Sequence, residues 1–427
     1  MKMAAGGRAA FDVAVVGGGP AGMMAAIAAA ERGARVVLLE RLPDLGRKLR
    51  ATGGGRCNLT NTRDRNVFLA AFGAKRRFVR PAIAAFDGEA LRAFLVRRGV
   101  PTESPDGVHV FPASGRARSV ADALEALLAE RGVRVCAGTA VTRIETADGC
   151  VRGVGAAAEG WEARAVVLAG GGPSCPDLGG TDAGFGLAAA LGHRLVPPVP
   201  ALAGIAVAEA WVGECAGIVL PEVEIAVAAP GGARRRGQML FTHRGLSGPA
   251  ALDLSGDVAA ALRGRGAVPL AVDLTPGTSR AAWERRCEEW REMAGRKRVR
   301  TLLGAVLPRA LAERLAAAAG LDRDAACAHL PRARRARLAD LIAALPLTAV
   351  GTDGFEKAMA TRGGVALEDV AARTLASRVV RGLFFAGEVL DIDGPCGGYN
   401  LQWAFASGRL AGVAAARSSA SGGVPSP

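Results

Sequence analysis

Apolar residues open the chain in short unbroken runs rather than in alternation. "FDVAVV" (11–16) ends at Gly17 and predicts a parallel strand buried on both faces. "PAGMMAAIAAAERG" then predicts a helix closing at Gly33, and "ARVVLLE" a second buried strand. Strand, helix and strand make a βαβ unit, the start of a doubly wound, Rossmann-like α/β sheet.

Further along, "SVADALEALLAERG" predicts a helix opening on the capping pattern Ser119-x-x-Asp122. Strands turning at Asp148-Gly149 follow, a hairpin signal, and "ARAVVLAGGG" is another buried strand meeting a glycine turn. From residue 195 the texture changes to short alternating runs separated by Gly and Pro. Residues 195–279 therefore predict a small barrel or sandwich, and the charged, alanine-rich stretch 280–344 a helical subdomain. The simplest organisation is a discontinuous nucleotide domain (1–194 and 345–415) interrupted by an insert (195–344), with a disordered tail over 416–427. No internal repeat is visible.

Length and composition support this division. A chain of 427 residues exceeds one ordinary core, and its 50% apolar content excludes global disorder. The net charge of +14 favours anionic partners, a nucleotide cofactor among them. Aromatic residues are only 4%, which leaves few stacking platforms for bases. The clusters Arg234–Arg236 and Arg296–Arg300 also lie on separate segments, so no nucleic-acid partner is expected. Eight scattered cysteines show neither a C-x-x-C pair nor zinc-type spacing, and no metal site is expected. The N-terminal residues lack a signal-type apolar region, and no stretch approaches the roughly 18 apolar residues of a membrane span. The expectation is a cytoplasmic protein.

The most specific local pattern is Gly17-x-Gly19-x-x-Gly22, placed after a strand and at the start of a helix. Gly17 permits the tight turn, Gly19 lets a pyrophosphate reach the backbone, and Gly22 allows close helix–sheet packing. Glu40 ends the next strand, where an acid hydrogen-bonds the adenosine ribose. NAD and FAD both satisfy this fingerprint. The later segments "VVLAGGG" (166–172) and "GLFFAGEVLDIDG" (382–394) supply a second closure over the cofactor, which favours FAD. "GTDAGFGLAAALG" (180–192) reads either as a further flavoprotein-like segment or as a helix start capped by Thr181 or Asp182.

Three longer stretches, "GRKLRATGGGRCNLTN", "FTHRGLSGPAALDLS" and "GGVALEDV…GLFFAGEVLDIDGPCGGYNLQWAFASG", resemble signatures of the BaiN/aminoacetone-oxidase family of FAD-binding proteins. The likeness runs in order from about residue 11 to 413. It implies a discontinuous FAD domain interrupted by a β-barrel and a small helical domain. Matched motif by motif, it implies that Gly17, Gly18, Gly19, Pro20, Ala21 and Gly22 meet the pyrophosphate, and Glu40 with Arg41 the ribose. Arg47, Lys48, Gly53, Gly54, Gly55, Arg56, Cys57 and Asn58 would follow the phosphates and flavin. Val141 would meet adenine through its backbone, with Ala169 and Gly170 bordering that end. Gly387, Glu388, Asn400, Leu401 and Gln402 would close over the ribityl chain and ring.

A flavin performs the hydride chemistry itself, so the protein's task is to bind, orient and supply protons. His243, in "FTHRGLSGP", is the histidine on a specific motif and the candidate for proton transfer; a structural role in the insert is the alternative. Cys57 and Cys396 lie on cofactor-type segments and read as fillers, Tyr399 as packing beside the flavin, and Trp403 as core. The leading function is an FAD-dependent oxidoreductase passing hydride from transiently docked NAD(P)H to a small apolar carbonyl or enone. The alternatives are an oxygen-using oxidase of amine type, a tRNA-associated flavoprotein, and a nucleotide binder without turnover.

Overall fold

The computed structural model describes residues 10–157 and 159–420. The chain divides into two compact units, one in two segments that break off at Val199 and resume at Met359, the other spanning Pro200–Ala358.

The first unit starts with β1 (Ala10–Val16), α1 (Pro20–Ala30) and β2 (Val36–Leu39), followed by α2 (Arg47–Ala51). A small antiparallel sheet of order β3-β5-β4 comes next, from β3 (Thr60–Asn61), β4 (Thr102–Glu103) and β5 (His109–Pro112). Helices α3 (Arg65–Ala70), α4 (Arg76–Ala85) and α5 (Gly88–Val96) lie between β3 and β4 in the chain. Then come α6 (Ala117–Glu130), β6 (Arg134–Cys136), β7 (Arg143–Ala147), β8 (Cys150–Ala156), β9 (Glu159–Leu168), α7 (Ala183–Ala190) and β10 (Leu195–Ala201). The main sheet has the order β6-β2-β1-β9-β8-β7, parallel from β6 to β9 and antiparallel through the β7/β8 hairpin. Val13–Val15 and Val37–Leu38 are fully buried, which explains their continuous apolar runs. Asp148 and Gly149 turn the hairpin with φ of +56° and +70°, the two left-handed residues of a tight two-residue loop.

One helix start differs from expectation. α6 begins at Ala117, two residues before Ser119, and Ser119 Oγ donates to the Arg116 carbonyl instead of capping the helix. A serine inside the first turn satisfies its hydroxyl on the preceding turn.

The second unit contains β11 (Ile205–Val207), β12 (Val219–Val227), β13 (Arg234–Thr242), β14 (Gly245–Ser247), α8 (Pro249–Leu262) and β15 (Val268–Asp273). Helices α9 (Arg280–Met293), α10 (Val299–Leu303), α11 (Arg309–Ala318) and α12 (Arg332–Ala343) follow, then β16 (Leu345–Thr352) and α13 (Gly354–Lys357). The strands close a barrel of order β11-β14-β13-β12-β15-β16. Two features depart from the sequence reading. α8 interrupts the stretch read as all-β, and its Ala251, Leu254 and Val258 join Val223, Met239 and Phe241 of the barrel in one core. Residues 345–352, read as the start of the returning FAD segment, form β16 and pair with both β15 and β11. Leu345, Leu347 and Ala349 alternate inward, so the barrel cannot close without them.

The chain then returns to the first unit through β17 (Ala360–Val365), which pairs with β10, and β18 (Leu383–Phe385), which adds parallel to β9. α14 (Tyr399–Ala420) ends the described chain. α1 is apolar all round because it is covered on both sides, by the sheet and by α14. Gly408 and Gly412 make that contact possible: a Cβ on either would lie 2.2 Å from the Ala21 or Ala25 carbonyl oxygen. α14 continues through Ala420, so residues 416–420 are helical, not part of a disordered tail, because Ala416 and Ser419 are buried; residues 421–427 lie outside the described residues.

Candidate functional site

The first unit holds a cleft of about 1060 Å³, its open mouth included, at the C-terminal ends of β1 and β9. That is where open α/β sheets bind ligands. Its lining includes Glu40, Leu42, Asp44 and Gly179, and Thr52, Ile392, Asn400 and Leu401.

Gly17, Gly19, Pro20 and Ala21 line the cleft at the start of α1. Gly17 has φ +107°, and a Cβ there would lie 2.4 Å from the Ala169 carbonyl oxygen. The N-terminus of α1 carries no side-chain cap, and the space over Gly19 is open. An uncapped eleven-residue helix with an open glycine presents free N–H donors and partial positive charge to an anion. Arg47 and Lys48 add two cations from the first turn of α2. These features fit a dinucleotide pyrophosphate.

Glu40 is at the cleft and already engaged. Its Oε2 accepts from Gly18 N–H (2.6 Å) and its Oε1 from Leu42 N–H (2.9 Å). The acid therefore braces the fingerprint turn at the cleft wall. Ala169, Gly170, Gly387, Glu388, Asn400 and Leu401 also line the site. Trp403 Nε1 donates to the Gly387 carbonyl (3.1 Å) and Ser407 Oγ accepts from Gly387 N–H (2.9 Å), so α14 clamps the turn carrying Glu388.

A polar knot at Lys48 was not legible in the sequence. Lys48 Nζ donates to Ser174 Oγ and to Glu388 Oε2 (3.0 Å). Glu388 Oε1 also accepts from Ser174 Oγ (3.0 Å) and from Thr361 N–H (2.5 Å). Ser174 and Thr361 are fully buried. The one available signal was the position of Ser174 just beyond a buried strand, at the functional edge of the sheet.

Other expected contacts are not among the cleft-lining residues. Gly22 packs inward, where a Cβ would lie 1.8 Å from the Gly17 oxygen. Gln402 is buried and donates to the Phe86 carbonyl (2.8 Å). Val141 is a core residue, and Arg41 is exposed. Of the glycine-rich loop, Thr52 borders the cleft, whereas Gly53, Gly54 and Arg56 are exposed. Gly53 and Gly54 are left-handed (φ +59° and +66°), Cys57 is buried with its thiol pushed up to about 12 by desolvation, and Asn58 Oδ1 is buried without a hydrogen-bond partner among the described residues. Tyr399 packs against Phe68 (4.6 Å between centroids) and meets Phe72 edge-on. His243 is exposed in the β13–β14 turn of the second unit and is not among the cleft-lining residues. Among the described residues, no helix is long and apolar enough to cross a membrane.

Comparison with known proteins agrees with this architecture. The HI0933-like protein Rossmann domain family matches residues 11–414. A protein of Clostridium scindens named 3-dehydro-bile acid delta(4,6)-reductase is 34% identical over 95% of this chain and 98% of its own. A ribosomal RNA dihydrouridine synthase of Haemophilus influenzae is 30% identical over 92% and 95%. Among solved structures, the 3-ketosteroid delta1-dehydrogenase of Sterolibacterium denitrificans shares the fold, with a TM-score of 0.54 at 15% identity over 96% of this chain and 100% of its own. Fingerprint turn, cleft, barrel insert and relatives converge: this chain belongs to the HI0933-like family of Rossmann FAD-binding proteins and is an FAD-dependent oxidoreductase.

Proposed function

We propose that this protein saturates a carbon–carbon double bond conjugated to a carbonyl, with NAD(P)H as the electron donor. The observation that carries this reading is the chemistry shared by its relatives. A 3-dehydro-bile acid with double bonds at positions 4 and 6 is a conjugated dienone, and uridine becomes dihydrouridine by saturation of a ring double bond conjugated to a carbonyl. Bound FAD supplies the hydride chemistry. The chain's own residues do the rest: the α1 N-terminus, Arg47 and Lys48 hold the phosphates, and the α14 clamp fixes Glu388 beside the cofactor. In this reading Gly17, Gly19, Pro20, Ala21, Glu40, Arg47, Lys48, Ala169, Gly170, Gly387, Glu388, Asn400 and Leu401 are the cofactor contacts.

The leading substrate class is a small apolar enone. RNA is the second, because two relatives are named ribosomal RNA dihydrouridine synthase and the chain carries +14 charge. Exposed Arg76, Arg77 and Arg80 on α4 have no ion-pair partner among the described residues, which leaves them available to phosphates. The expectation of no nucleic-acid partner thus loses its ground. Anaerobic incubation with NADH or NADPH and either cyclohexenone, a 4-en-3-one steroid or uridine-containing ribosomal RNA tests the reading. A mass gain of two hydrogens in one acceptor supports it and identifies the class. No gain in any, with flavin reoxidised by oxygen alone, would replace it with the oxidase alternative.

A further inference from the structure

β5 carries two side chains that the reductase reading leaves unused. His109 and Phe111 are two residues apart and share the half-exposed face of the strand. Asp106, in the preceding turn, accepts from Val108 N–H (2.9 Å) and His109 N–H (2.8 Å) with one oxygen. Its other oxygen lies 2.5 Å from His109 Nδ1. The two amide bonds suffice to shape the turn; the third sets the imidazole. The His109 contact, and then the backbone N–H groups, hold the Asp106 carboxyl well below the usual carboxylate range. Asp106 therefore stays ionised and accepts from Nδ1, which leaves Nε2 as the ring nitrogen turned toward the neighbouring loop.

Nε2 points to the loop leading into α14. A Cβ on Gly397 would lie 3.3 Å from it, and Asn61 Nδ2 donates to the Gly397 carbonyl (2.9 Å). Phe111 lies under the Arg56 guanidinium, 4.9 Å from its centroid, and a Cβ on Gly53 would be 3.8 Å from the ring. Both neighbouring segments border the cleft: Thr52 precedes Gly53, Asn400 and Leu401 follow Gly398, and all three line it.

We propose that His109, set by Asp106, is the acid of this site, holding at Nε2 the proton that completes saturation of the substrate, with Phe111 and Arg56 as the plate beneath its planar conjugated system. The inference rests on the reductase reading. The substrate receives a hydride at the carbon β to its carbonyl, supplied by the cofactor at the expense of a dihydronicotinamide. The displaced π pair forms an enolate. That pair makes the new C–H bond at the α carbon as the Nε2–H bond breaks and leaves its electrons on the imidazole; solvent then restores the proton.

The titratable and charged groups on elements packed against His109 are Asp106 on its own turn, Arg56 and Cys57 on the glycine-rich segment, Arg63 beyond β3, Glu103 on β4, and Cys396 and Tyr399 on the facing loop. The test uses holoenzyme and 2,4-dinitrophenolate, a planar anion that mimics the enolate and whose binding is read from the flavin spectrum without turnover. Wild-type holoenzyme is expected to bind it with a clear shift of the flavin band. His109→Gln is expected to bind about tenfold more weakly, as loss of a charge-assisted bond implies. Asp106→Asn is expected to weaken binding as well, because the imidazole loses the carboxylate that sets it. An unchanged flavin spectrum certifies that each variant is folded. Equal affinity in His109→Gln and wild type, or no binding to wild type, overturns the assignment. Wild type that binds the phenolate as expected yet reduces no enone overturns the reductase reading and leaves His109 in place.

Discussion

Lys48 Nζ lies 3.0 Å from Glu388 Oε2, pairing two residues 340 positions apart at the wall of the cleft. Each arrives on a different element, Lys48 on α2 and Glu388 on the turn clamped by α14. Lys48→Met removes a cation from the cleft and leaves Glu388 to Ser174 and Thr361 alone. FAD affinity of the apoprotein is expected to fall by about tenfold, or ~1.4 kcal/mol, in a fluorescence titration. Unchanged affinity would show that the pair serves the fold and not the cofactor.

Two fingerprint glycines are expected to fail in opposite ways. A Cβ on Gly22 would lie 1.8 Å from the Gly17 oxygen, so Gly22→Ala forces α1 off the sheet and is expected to cost about 1–3 kcal/mol in urea unfolding. Gly19 has an ordinary φ of −74° and nothing within 4 Å of a Cβ. Gly19→Ala is therefore expected to unfold like wild-type apoprotein but to bind FAD more weakly, because its methyl group occupies the space over the helix N-terminus.

The α1–α14 crossing gives a separate handle on stability. A Cβ on Gly412 would lie 2.2 Å from the Ala25 oxygen, and neither residue lines the cleft. Gly412→Val is expected to lower the unfolding midpoint by at least as much as Gly22→Ala. Unchanged stability would mean that the helices do not cross so closely.

Burial pushes the Cys57 thiol up to about 12 from an ordinary value near 9. The folded protein holds this proton where the unfolded chain releases it. Cys57 thus contributes stability in full below about pH 9, and loses it as pH rises toward 12. Cys57→Ala is expected to flatten the alkaline limb of a stability–pH profile. Thiol reagents at pH 8 are expected to spare Cys57 in the native state and label it in denaturant.

Asp393 behaves in the opposite sense. Burial raises its pKa, but Arg362 and Lys75, at 2.8 and 3.0 Å, outweigh burial and hold it below the usual range. Its contribution is present above the ordinary carboxylate range and lost as pH falls through it. Asp393→Asn is expected to remove that acid-side loss, at the cost of lower stability at neutral pH.

What could be read from the sequence was local. The strand before Gly17, the spacing of Gly17, Gly19 and Gly22, and Glu40 at the end of the next strand lie within 30 residues, and short-range geometry specifies them. The long motifs near residues 50 and 390 placed Lys48, Glu388 and Asn400 at the cofactor, and all three border the cleft. Ser174 and Thr361 escaped notice because only the tertiary fold brings them within reach of Glu388. β16 was assigned to the wrong segment because its alternating pattern says which side is buried but not which sheet it joins. Gln402 is drawn inward by the Phe86 carbonyl, a partner 316 positions away that only the tertiary fold supplies.

The most direct test of the account is anaerobic and uses wild-type holoenzyme. NADPH or NADH is added until the flavin band near ~450 nm bleaches, and a conjugated enone is then mixed in. The account predicts that the yellow band returns and that one saturated ketone forms for each flavin reoxidised. A band that never bleaches with either nicotinamide, or that stays bleached until oxygen is admitted, would contradict it.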